Sequence, residues 1–103
     1  MFNLYLLRNK KNGKAYVGQT TGSLERRWAS HLRSVAAGSR FYIHNAIRKH
    51  GIDAWDMSLI AQYKSQSELD AAEQAAIIAL RTHWTYEGYN LTFGGEPRDP
   101  GYY

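Results

Sequence analysis

Two short apolar runs, FNLYLLR and KAYVGQT, are separated by a lysine-rich turn containing Asn12-Gly13, and no other feature of the chain limits its fold so strongly. Asn-Gly between apolar runs is a strong local signal for a β-hairpin, because both residues tolerate the positive φ that such a turn demands. Residues 2–8 and 14–19 are therefore predicted to pair antiparallel. An even loop puts Tyr5 and Tyr16 on one face of the ribbon. A two-residue turn at Asn12-Gly13 leaves them far apart, whereas a four-residue loop over Lys10 to Gly13 sets Tyr16 opposite Leu7 and diagonal to Tyr5.

The rest of the chain reads as alternating helix and strand. Thr20 to Ser23 offer cap residues ahead of LERRWASHLRSVAAG, where Leu24, Trp28, Leu32 and Val35 recur at helical spacing and Gly38 can end the helix. Ser39 is placed to cap a second helix, RFYIHNAIRKH, with Ile43, Ala46 and Ile47 inward and Gly51 as its stop. AWDMSLIAQY alternates through Trp55, Met57 and Leu59 as a third strand. Ser65 to Glu68 form a capping box that opens a third helix running to about His83, and GYNLTF follows as a short extended piece. The predicted fold is α+β, a small three-stranded antiparallel sheet flanked by three helices in the order ββααβα. One domain is expected over residues 1–95, with an irregular Gly- and Pro-rich tail over 96–103.

Composition narrows the chemistry. A chain of 103 residues has material for one core, and the absence of cysteine excludes thiol catalysis, disulfides and Cys-based metal sites. No run approaches the ~20 apolar residues of a membrane span, so no membrane partner and a cytoplasmic location are expected. Charge is segregated: residues 1–50 carry ten basic side chains and one acid, net +9, while residues 51–103 carry three basic and eight acidic, net −5. A cationic half interleaved with Trp28, Phe41 and Tyr42 suits a polyanion surface or a solvated basic face, since phosphate contacts release counterions and aromatic rings can stack on bases. Lys14, Arg26, Tyr42, His44, Arg48 and Lys49 are its candidate contacts, with His44 and Arg48 predicted on the outer side of the second helix.

Three positions break the apolar pattern or sit at its edge. On the third helix Glu73 falls about 40° from Leu69, inside the stripe made by Ala72, Ala76 and Leu80. A carboxylate there needs a metal ion or a basic side chain, or must snorkel outward, because an uncompensated buried charge is costly. On the first helix Arg27 and His31 form an i,i+4 pair along one border of the apolar face. There a side chain is held by packing and still reaches a ligand, and Arg suits bidentate phosphate contact. The tyrosines supply phenols, which act as bases near neutral pH only where neighbouring cations favour the phenolate.

These segments resemble the GIY-YIG nuclease family, in its order and over nearly the whole chain. NLY at 3–5 sits where that family has Gly-Ile-Tyr, YVG at 16–18 where it has Tyr-Ile-Gly, and LERRWASHL supplies Arg27 and His31. IRKHG at 47–51, the glutamate of AAEQAAI at Glu73, and GYNLTFGG with Asn90 complete the set. Asn3 and Leu4 depart from the first motif. The resemblance implies a DNA endonuclease that hydrolyses phosphodiester bonds with one Mg²⁺ or Mn²⁺. It implies Tyr5, Tyr16, Arg27, His31, Glu73 and Asn90 as catalytic positions: Tyr5 or Tyr16 on the water, His31 sharing proton transfer, Arg27 on the phosphoryl charge, Glu73 on the metal and Asn90 fixing a tyrosine or a metal-bound water. Gly18 would allow a close approach to the second strand. Site specificity is expected from a separate DNA-binding domain or protein, as in larger homing enzymes. The alternative is a non-catalytic DNA-binding module that uses the basic half alone.

Overall fold

A computed structural model describes residues 1–93. Its elements are β1 (Phe2–Asn9), β2 (Ala15–Thr20), α1 (Leu24–Ala36), α2 (Tyr42–His50), β3 (Trp55–Tyr63) and α3 (Gln66–Ala79), with single 3-10 turns at Ile52–Ala54 and Trp84–Tyr86. The strands form one antiparallel sheet in the order β2-β1-β3, so the ββααβα, α+β expectation holds. The predicted boundary at residue 95 and the tail beyond it lie outside the described residues.

The hairpin takes the four-residue loop. Leu7 pairs with Tyr16 and Tyr5 with Gly18. Gly13 closes the turn at φ 76°, donating its N–H to the Asn9 carbonyl at 2.8 Å. That φ is unfavourable for a residue with a Cβ. Alternation then sorts the sheet into two faces. Tyr5, Leu7 and Tyr16 join Ile43, Ala46, Ile47, Trp55 and Tyr89 in one core under α1 and α2, and Leu4 and Val17 join Leu69 and Ile77 in a second under α3. The sheet is a partition between them, with β1 central.

Caps appear where short polar side chains precede a helix. Ser23 Oγ accepts from Arg26 N–H, and Ser65 Oγ from Glu68 N–H, both at 3.2 Å. Ser39 does not cap α2, contrary to expectation: Phe41 occupies that position, and the Ser39 hydroxyl bonds His44 Nδ1 at 2.6 Å. The third helix also stops short of His83. Arg81 turns to φ 55°, and Leu80, expected on the inward stripe, caps the helix half-exposed. On β3 the predicted alternation fades outward: Trp55 is buried, Met57 partly so, and Leu59 exposed.

The segment after the last turn returns to the hairpin. Tyr89 N–H donates to the Ala15 carbonyl at 3.0 Å, and Asn90 bridges to His83. Among the described residues no helix is long and apolar enough to cross a membrane.

Candidate active site

The site begins with β1, which aims Tyr5 toward α1. Its ring lies across Gly18 on β2, and a Cβ at Gly18 would stand 2.4 Å from Tyr5 Cζ and Oη. Glycine at this position is therefore demanded by the phenol crossing it, since any methyl would displace the ring. Tyr16, one step diagonal on the same face, lies 6.5 Å from Tyr5 between ring centroids. The diagonal register expected for joint action is present.

Helix α1 supplies the next two groups. Its buried residues are Arg27 and His31, while Leu24, Trp28, Leu32 and Val35 are only partly buried. The border position predicted for the pair is thus an interior one. Arg27 Nε–H donates to Tyr5 Oη at 3.2 Å, and Tyr5 Oη lies 2.8 Å from His31 Nε2. The Tyr16 ring meets His31 edge-on at 6.2 Å. Four of the predicted catalytic side chains are therefore in one cluster.

Glu73 is the fifth. Leu69, Glu73 and Ile77 make the inward i,i+4 row of α3, and Glu73 is 1% exposed. Snorkelling is excluded by that burial. Its charge is felt at Tyr5, where it opposes ionisation, while the Arg27 guanidinium favours it. The phenol is thus bracketed by a cation and an anion on different helices.

Burial decides the protonation states. It pushes the Tyr5 phenol above its ordinary range, and this outweighs the lowering by Arg27, so Tyr5 keeps its proton near neutral pH. It pushes His31 down to about 3, helped by the positive charge of Arg27 and by His44. His31 is therefore a neutral imidazole. His44 is lowered too, by burial first and then by Arg27 and Arg48.

Asn90 approaches from the C-terminal segment, and both ends of its amide are committed to β2. Val17 N–H donates to Oδ1 at 2.8 Å, and Nδ2–H donates to the Val17 carbonyl at 2.9 Å. One side chain thereby does for the β2 edge what a neighbouring strand would do, directly beside Tyr16. Asn3, the departure from the first motif, also has a structural post: Nδ2–H donates to the Gly22 carbonyl at 2.8 Å, and Oδ1 accepts from Gln62 at 2.8 Å. It ties β1 to the turn before α1, which glycine has no side chain to do.

The predicted nucleic-acid contacts divide. Arg26 and Lys49 are exposed, Lys14 is partly so, and Tyr42 is 40% exposed with its ring edge-on to Tyr89. His44 is fully buried, which corrects its assignment to an outer surface. Its signal was in the sequence: His44 falls only about 60° around the helix from Ile47, on the inward arc. Arg48 donates to the Val35 and Ser39 carbonyls at 2.8 and 2.9 Å, so its guanidinium holds the end of α1. Ser39 was missed as a buried-network residue because serine before a helix ordinarily reads as a cap.

A divalent cation would find one hard oxygen donor here, Glu73, whose buried Oε2 receives no hydrogen bond. Among the described residues no group of three or more His, Cys, Asp or Glu converges as a ready-made cage. The donor set fits a cation that keeps most of its waters, as Mg²⁺ does.

Residues 1–90 match the family described as the GIY-YIG catalytic domain. The segC endonuclease of Enterobacteria phage T4 is 33% identical over 94 residues, spanning 91% of this chain and 43% of that protein. The MSV199 domain-containing protein 146R of Invertebrate iridescent virus 6 is 28% identical over 67 residues, 65% of this chain and 27% of that protein. The chain thus spans less than half the length of either relative. Among solved structures, the catalytic domain of the homing endonuclease I-TevI superposes with a TM-score of 0.76 at 23% identity, covering 89% of this chain and 99% of that one. A mutant of the same domain gives 0.78 at 23% identity, covering 94% and 100%.

Proposed function

The chain belongs to the GIY-YIG family, and from that membership we propose that it is an endonuclease hydrolysing phosphodiester bonds of DNA with a divalent metal ion. The observation that carries the proposal is the convergence of Arg27 and Glu73, from helices on opposite sides of the sheet, about the fully buried Tyr5. Scaffold packing alone offers no reason to bury a carboxylate and a guanidinium at these positions, given what their desolvation costs.

The roles divide by accessibility and protonation. Tyr5 is enclosed and holds its proton, and His31 is neutral with little basicity, so neither suits the task of general base. Tyr16 is the phenol left to orient and deprotonate the attacking water, and a nearby cation would favour its phenolate. Arg27 stabilises charge developing on the phosphoryl oxygens, with its Nε–H anchored on Tyr5. Glu73 would hold Mg²⁺ or Mn²⁺. A bound ion of this kind supplies Lewis-acid stabilisation of the phosphodiester and its leaving oxygen. Asn90 keeps β2, and with it Tyr16, in place. Arg26, Lys14, Lys49 and Tyr42 provide sequence-independent contacts to the nucleic-acid backbone or bases. Site selection would come from a domain or protein beyond this catalytic unit. A binding-only module accounts for those surface groups but not for Glu73.

Plasmid nicking by the purified protein in Mg²⁺ or Mn²⁺, with Glu73→Ala and Arg27→Ala alongside, tests the proposal. Each substitution is expected to lower the rate by about 10²-fold or more, the usual loss when a group that stabilises transition-state charge is removed. Undiminished cleavage in both variants sinks it.

A further inference from the structure

The buried imidazole of His44 has no part in this mechanism. His44 lies beneath α1 and α2, with Nε2 3.0 Å from His31 Nδ1 and Nδ1 2.6 Å from Ser39 Oγ. Ser39 Oγ also accepts from Phe41 N–H at 3.4 Å. Together with Tyr5 and Arg27, these side chains form a continuous line of hydrogen bonds from the partly buried Ser39 to the guanidinium.

The direction of that line follows from donor and acceptor counts. Tyr5 is 0% exposed, so its O–H must find its acceptor within the protein. Among the described residues two groups hydrogen-bond to the phenol oxygen, and one of them, Arg27 Nε–H, can only donate. The Tyr5 proton is therefore directed at His31 Nε2, which must be unprotonated. A neutral His31 then carries its hydrogen on Nδ1 and donates it to His44 Nε2. His44 in turn carries its hydrogen on Nδ1 and donates to Ser39 Oγ. The chain ends at a hydroxyl near the surface, where its own O–H can reach water. In the opposite sense, His31 Nε2–H would point at Tyr5 Oη beside Arg27 Nε–H, and the Tyr5 hydrogen would be buried without an acceptor, at the cost attached to a lost buried hydrogen bond.

We infer that His44, anchored by Ser39, is a positioning residue that holds His31 as the Nδ1–H tautomer, so that Tyr5 donates to His31 and presents its oxygen to Arg27. The inference rests on the nuclease reading for its effect on rate, but not for the tautomer. Arg27 then inherits its orientation from a residue three hydrogen bonds away on another helix. The neutrality of both imidazoles agrees with this arrangement.

Long-range ¹H–¹⁵N spectra of the histidines in the wild-type protein, without substrate, test the tautomer directly. His31 is expected to be protonated on Nδ1 and bare on Nε2 near neutral pH. In His44→Leu the acceptor is gone, and His31 is expected to shift toward the other tautomer. Plasmid cleavage by that variant should lose about ten- to a hundredfold in kcat with KM little changed, the range typical of outer-shell partners that orient a functional histidine. His44→Gln, whose amide oxygen can accept from His31 Nδ1–H, should recover most of the rate. A wild-type His31 protonated on Nε2 overturns the inference, and so does a folded His44→Leu protein with full kcat, or a His44→Gln variant no better than His44→Leu. If the wild-type protein does not cleave DNA, the nuclease reading fails by itself, and the spectra still decide the tautomer.

Discussion

On the face of the sheet covered by α3, the buried row is Leu4, Val17, Leu69 and Ile77, with the buried polar side chains Glu73 and, bonded to Gln66 and Asp70 of α3, Gln19 among them. On the face covered by α1 and α2, apolar residues surround a buried line of Arg27, Tyr5, His31 and His44. The first face is held mainly by area removed from water and carries one buried carboxylate within its inward row. The second holds its polar atoms in register, where a missing partner leaves an unsatisfied group instead of a small void. The buried hydrogen-bonded line therefore lies on the α1/α2 side of the sheet, while the α3 side contributes Glu73 from within an apolar row.

Substitutions should separate the two. The largest change in stability is expected for Leu69→Ala, which empties a fully buried site on the α3 face. It should cost about 2–5 kcal/mol by urea unfolding while the folded fraction keeps its cleavage rate. A rate loss as large as that of Arg27→Ala would erase the division between faces.

Acid should act on the opposite face. His31 is held near 3 against an ordinary value of 6.5, so between these limits the unfolded chain binds a proton that the folded imidazole refuses. Stability is therefore complete above about pH 6.5 and falls as pH drops toward about 3, by at most ~1.4 kcal/mol per pH unit for this group. Urea midpoints measured from pH 7 to 4 should decline, and His31→Gln should flatten part of that slope. An unchanged slope in the variant would place the acid sensitivity elsewhere.

Asn90→Ala is expected to have the smallest effect on stability, about 1–3 kcal/mol from the two Val17 backbone groups it leaves without partners. Amide exchange at Val17 should speed up, and cleavage should fall because Tyr16 is the preceding residue on β2. Protection at Val17 equal to the wild type would remove Asn90 from its role on the strand edge.

Much of this arrangement was legible beforehand, and the failures share a cause. Tyr5 and Tyr16 could be placed on one face because strand alternation and an even loop are local properties, and the observed Leu7 to Tyr16 pairing chose between the two registers. Glu73 was visible as a carboxylate on an apolar stripe. Arg27 and His31 were found but set too near solvent, since α1 is apolar along one stripe and yet buries the polar edge of it. His44 was misplaced because its neighbours Arg48 and Lys49 drew it into a basic surface, although its angle on the helix pointed inward. Ser39 reads as a cap until α2 is known to begin at Tyr42.

By itself the sequence determined the element order, the hairpin, the serines that open α1 and α3 and the presence of an anomalous carboxylate, because each depends on residues within a turn or two of one another. Only the tertiary structure decided that the phenol of Tyr5 crosses Gly18, that His31 lies between Tyr5 and His44, and that Asn90 closes the edge of β2. Those contacts join residues 13 to 73 positions apart. Their geometry is set by how two helical layers pack on one sheet, which no local pattern encodes.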